Sequence, residues 1–145
     1  MQPSSSGPRA YACLEVWEIG RQLTGRHLFV TATGEELRAA SARLFCCWWQ
    51  ELELLIGPKG VEAVMRRALK VATARQPLLQ STTIDVGGPS WAPLNEPPGG
   101  EAQAALCAAV GDLFLTSADV MCTLVGIDLV RPILQRLECA LAERG

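Results

Sequence analysis

Slid against itself by 69 positions without a gap, the chain lays residues 35–73 on residues 104–142. Nine positions coincide in identity: Leu37 with Leu106, Ala39 with Ala108, Ala40 with Ala109, Leu44 with Leu113, Phe45 with Phe114, Leu55 with Leu124, Gly57 with Gly126, Val61 with Val130 and Arg67 with Arg136. Leu52 with Met121, Ile56 with Val125, Val64 with Ile133 and Met65 with Leu134 are chemically alike. The matches concentrate on one helical face and on the glycine that breaks it. Common composition puts Leu on Leu and Ala on Ala in any two apolar hairpins. It does not as easily put "LIG" on "LVG" at the same offset as Phe on Phe and Arg on Arg. The pattern is that of a duplicated helix-Gly-helix unit. Neither hairpin can bury its apolar stripe alone, so the two are expected to pack together as an antiparallel four-helix arrangement with pseudo-two-fold symmetry.

Local signals frame these units. Thr33 and Glu36 have the spacing of a capping box and should open a helix. Leu37, Ser41, Leu44, Phe45, Trp48, Leu52, Leu55 and Ile56 then recur at helical spacing until Gly57-Pro58 stops the run, about 22 residues or ~33 Å on. A second helix is expected from Lys59 to Ala74. Between 87 and 100, "GGPSWAPLNEPPGG" is too rich in Gly and Pro for helix or strand. Glu101 to Val125 reads as helix, Gly126 as its break, and Asp128 as the cap of a last helix reaching Glu143, with Pro132 in its first turn.

Upstream, Arg9 to Leu23 reads as an N-terminal helix ended by Thr24-Gly25. His27–Thr33 and Ser81–Val86 are β-branched and read as extended, pairing as a short β ribbon. The expected fold is therefore mainly α and one domain over 1–145: a disordered tail at 1–9, hairpins at 34–74 and 101–143, and the connection at 87–100.

Composition narrows the function classes. With 49% hydrophobic and 19% charged residues the chain should fold, and its net charge of −2 offers no field for nucleic acid. The N-terminus lacks a secretory pattern. The most apolar segment, 102–125, carries Asp112 and Asp119, each costing roughly 2.5 kcal/mol or more near a bilayer centre, which argues against a membrane span. A cytoplasmic location follows as the expectation, and the six cysteines then read as small buried apolar residues rather than disulfides.

Adjacent Cys46 and Cys47 point about 100° apart on a helix, no C-x-x-C occurs, and His27 is the one histidine, so neither a metal nor another cofactor is expected. No nucleophile, phosphate or dinucleotide motif is present, and no catalytic residue is assigned. Trp48 and Trp49 fall on Ser117 and Ala118 in the offset. An indole opposite small residues either fills the core or walls a pocket. In the second case Trp48, Trp49, Asp112 and Asp119, with Glu53 at the rim and Trp91 from the connection, form a site for a cationic or flat aromatic ligand. Arg67 and Arg136 either bind an anion or make surface ion pairs. The leading expectation is a non-catalytic helical binding or interaction protein that self-associates as a homo-oligomer. A small-molecule binder with its pocket between the hairpins is the alternative.

Overall fold

The structure, a computed structural model, describes residues 11, 13–28, 33–85, 88–90 and 101–144. The protein is mainly helical: α1 (Leu14–His27), α2 (Gly34–Arg75), α3 (Glu101–Val125) and α4 (Ile127–Arg144), with a two-stranded sheet of β1 (Thr83–Asp85) and β2 (Gly88–Ser90). Buried side chains from all four helices form one apolar cluster.

The capping box at the start of α2 is formed. Thr33 Oγ1 accepts from the Glu36 amide at 3.0 Å, and Glu36 Oε1 accepts from the Thr33 amide at 3.3 Å. α2 is interrupted at Gly57, whose φ of 79° and ψ of 165° lie in a region open in practice to glycine alone. Pro58 follows at the start of the next helical stretch, where its missing amide costs nothing. Gly126 holds the same place between α3 and α4, with φ of 92°, and its carbonyl accepts from Leu129 and Val130. α2 thus has two arms, residues 34–56 and 58–75.

The contacts give the directions of the arms. The first arm and α3 touch near their starts, where the Gln103 side chain donates to the Thr33 carbonyl at 2.9 Å. They meet again at mid-length, with Phe45 against Phe114 edge to face at 6.1 Å and Trp48 Nε1 donating to Ser117 Oγ at 2.9 Å. The two helices therefore run parallel and nearly in register. The second arm turns back, since Arg75 at its end reaches Asp112 and Thr116 at the middle of α3. The stretches that the offset overlays thus lie side by side, while the end of the second arm meets the middle of α3.

α1 begins and ends later than the periodicity predicts. Thr24 and Gly25 do not end it; Thr24 Oγ1 donates to the Arg21 carbonyl, and the last turn is held by Arg26 and His27, which both reach Glu138 of α4. At its middle, Gly20 lies so close to α3 that a Cβ there would fall 2.1 Å from Leu115. Glu15 and Arg131 pair near its start.

The ribbon also differs from expectation. β1 lies inside the extended stretch at 81–86, but it pairs antiparallel with Gly88–Ser90, Ile84 opposite Pro89, inside the segment read as pure connection. His27 is helical, and 29–32 lie outside the described residues. The tail 1–9 and most of the 87–100 connection also lie outside them. Nor are all the cysteines buried: Cys47 and Cys107 are, Cys13 and Cys122 are half-buried, and Cys46 and Cys139 are exposed. α3 from Gln103 to Val125 is long and apolar enough to cross a membrane by length and composition, and most of it is enclosed by the other helices.

Candidate functional site

Between the second arm of α2 and the C-terminal half of α3 lies an open groove of about 680 Å³. Its α2 wall is Ile56, Gly60, Ala63, Val64, Arg67 and Val71, one residue every three or four and so one face of the helix. Its α3 wall is Val120, Thr123 and Leu124. Two small residues on the α2 side, Gly60 and Ala63, keep the helices from filling the space with their own side chains. Gly60 already sits tight on Ile56, where a Cβ would meet the side chain at 3.1 Å.

A polar cluster closes one end. Asp112 sits on α3 with its carboxylate wholly buried. Arg75 donates to it twice, from Nε to Oδ2 at 3.1 Å and from Nη2 to Oδ1 at 2.8 Å. Tyr11 Oη donates to Oδ1 at 2.5 Å, and Thr116 Oγ1 donates to Oδ1 at 3.1 Å while accepting from Arg75 Nη2 at 2.6 Å. The guanidinium also lies over the Tyr11 ring, 5.2 Å from its centroid. Burial, with the neighbouring Asp112 charge second, pushes the Tyr11 phenol well above its ordinary range, and the hydrogen bonds to Asp112 raise Arg75. A buried carboxylate is tolerable because four donor contacts answer it. The cluster pins the end of α2 and the chain at Tyr11 to α3, and so fixes the separation of the groove walls.

Asp119 stands farther along the groove, half-buried, and its Oδ1 accepts from the Cys13 amide at 2.9 Å. Beside it the Cys122 thiol is pushed up to about 12 by burial and by the adjoining Cys13. Arg67 is exposed on the opposite wall and, among the described residues, enters no ion pair.

The residues singled out from sequence fall in different places. Asp119 lines the groove and Asp112 lies behind its closed end. Trp48 does not reach it: the indole is wholly buried, 5.2 Å from Phe114 edge to face, with Ser117 as its acceptor. Trp49 is buried on another side of α2, donating to Glu53 one turn on at 3.1 Å. Trp91 lies outside the described residues. Arg136 makes an ion pair with Glu51 at 2.9 Å across the surface. Tyr11 and Arg75 carry no sequence signal, because their shared partner Asp112 lies 101 and 37 positions away, and Thr116, four residues after Asp112, is joined to Arg75 only by the fold. Among the described residues no group of three or more His, Cys, Asp or Glu could hold a metal ion. The chain matches no protein-family model, no curated protein and no solved structure, so what the groove does must follow from its own chemistry.

Proposed function

We propose that the protein is a non-catalytic binding protein whose groove takes a small, largely aliphatic molecule. The observation that carries this reading is the groove itself: an open space of about 680 Å³ walled by Ile56, Val64, Val71, Val120 and Leu124, with Tyr11, Arg75 and Thr116 at one end and Arg67, Asp119 and Thr123 as the polar residues along its length. That size falls within the range of small-molecule sites, roughly 300–1,000 Å³, as does an apolar lining with a few placed polar groups. The four groups of the closed end are occupied with one another and act as a rigid stop. The apolar part of the wall is aliphatic, with Tyr11 as the one aromatic among the lining residues, which suits an alkyl or alicyclic body better than a flat aromatic cation. The duplication of the helix-Gly-helix unit belongs to the same proposal. It is supported by the matching positive φ at Gly57 and Gly126 and by direct contact of the offset-related pairs Phe45/Phe114 and Trp48/Ser117, as expected beside a two-fold axis.

An anilinonaphthalene dye tests the reading. Its fluorescence should rise with the wild type and be lost in Ala63→Trp, which puts an indole into the groove from an exposed helix position, but persist in Leu54→Glu. Equal fluorescence with the wild type and Ala63→Trp contradicts the proposal.

One observation favours self-association as a second reading. Leu54, Leu124 and Leu129 are 85%, 63% and 49% exposed, and the parallel arms bring all three to the end of the bundle where the two glycine breaks lie. Sedimentation equilibrium that gives a dimer for the wild type and a monomer for Leu54→Glu/Leu124→Glu supports it; a monomer for both sinks it.

A further inference from the structure

Arg67 and Arg136 are offset-related, and so are Val120 and Glu51. The ion pair of Arg136 with Glu51, 2.9 Å between α4 and the first arm of α2, therefore has a counterpart in Arg67 and Val120, which face the groove from the second arm and from α3. In one half of the molecule the arginine meets a carboxylate carried by the chain. In the other half the same place on the opposing helix is a valine, and the space beside it is the groove.

The remaining charges along the groove are engaged elsewhere. Asp112 and Arg75 neutralise each other at the closed end. Asp119 is one position from Val120, about 100° round the helix, and its Oδ1 is held by the Cys13 amide at 2.9 Å. Arg67, with a planar fork of donors and no ion-pair partner among the described residues, is the cation left to meet a ligand. Around it the walls are aliphatic: Ile56, Val64, Val71, Val120 and Leu124.

We propose that the ligand is an aliphatic carboxylate whose head group pairs with Arg67, taking the part that the Glu51 carboxylate plays for Arg136, while its alkyl body lies along the groove. The proposal rests on the groove reading above and narrows it to a ligand class.

Calorimetric titration with octanoate, 1-octanol and octylamine, each below its aggregation limit, separates the two. The wild type should bind octanoate about tenfold more tightly than octanol, the share of a charge-assisted pair in a partly exposed site. Octylamine should bind more weakly than octanol. Arg67→Gln, at an exposed position that leaves the fold intact, should bring octanoate down to octanol and leave octanol unchanged. Arg136→Gln should keep the full preference. Equal binding of octanoate and octanol by the wild type, a preference for octylamine, or a preference that survives Arg67→Gln overturns the head-group assignment while the groove stands. Failure of all three probes to bind overturns both.

Discussion

Replacing Arg75 by methionine is the sharpest perturbation of the scaffold around the groove. Methionine keeps most of the apolar stem and removes the three guanidinium contacts to Asp112 and Thr116, at 2.6 to 3.1 Å. Asp112 is then left 0% exposed without its guanidinium counter-charge, while the Tyr11 and Thr116 hydroxyls still donate to it. Breaking a buried pair by removing one partner costs 3–5 kcal/mol as a rule, about twice the value of any single hydrogen bond in it. Because the Arg75 side chain is 22% exposed, the lower end applies, about 3 kcal/mol, with some of its attraction already screened. For a chain of this size that is a fall in Tm of about 10 °C. Asp112→Asn retains an acceptor for Tyr11 and Thr116 but leaves the guanidinium without its counter-charge, at about 2 kcal/mol. The double variant should cost at least about 1.5 kcal/mol less than the sum, since once one charge is gone the other is the source of the penalty. Urea unfolding of the four proteins measures all three quantities. A cost below about 1 kcal/mol for Arg75→Met, or strict additivity in the double variant, would show that the cluster behaves as an exposed surface pair and does not fix the groove walls.

Three further outcomes follow from particular residues. Gly57→Ala should destabilise by about 2 kcal/mol, because φ of 79° with ψ of 165° strains any side chain, and Gly126→Ala by a comparable amount at φ of 92°; a loss below about 0.5 kcal/mol in denaturant melts, the ordinary scatter of surface changes, would refute the strain. Ser117→Ala should cost about 2 kcal/mol by leaving the wholly buried Trp48 Nε1 without its acceptor, whereas Glu53→Ala at the less enclosed Trp49 should cost under about 1 kcal/mol. Tyr11, the single tyrosine, has a phenol raised above its unfolded value, so the folded state keeps its proton where the unfolded chain loses it, and this contribution is present below pH ~10 and is lost as pH rises above it. The ultraviolet phenolate band should therefore appear together with alkaline unfolding, and the stability gap between the wild type and Tyr11→Phe should narrow above pH ~10; a phenolate that forms in the folded protein near pH 10 would contradict the burial.

Much of the helical frame was legible because its signals are local. A hydroxyl three residues before a carboxylate, and a glycine at the end of each apolar stripe, act through neighbouring backbone, and Thr33, Glu36, Gly57 and Gly126 do what their spacing requires. The offset also put the large Trp48 opposite the small Ser117, the pair now seen in contact. What sequence could not reach is set by tertiary partners. Direction is one example: the same stripes suit parallel and antiparallel packing, and only contacts such as Gln103 with Thr33 decide. The end of α1 is another, since Gly25 is a local stop signal that the Glu138 contacts of Arg26 and His27 outweigh. The groove is a third. Asp112 and Asp119 drew notice as carboxylates in an apolar run, yet Arg75 and Tyr11, which answer Asp112, lie 37 and 101 positions from it with no pattern linking them. The most prominent residue of the repeat, Trp48, fills the core, while the open space lies where Gly60 and Ala63 remove side-chain bulk.

The most direct test of the groove is a methyl-resolved NMR titration with octanoate. Saturable shifts are expected at Val64, Val71, Val120 and Leu124, with the core methyls of Leu37 and Leu113 and those of Leu129 outside the groove unmoved. Shifts confined to Leu54 and Leu129, outside the groove, or no saturable shift at all, would contradict it.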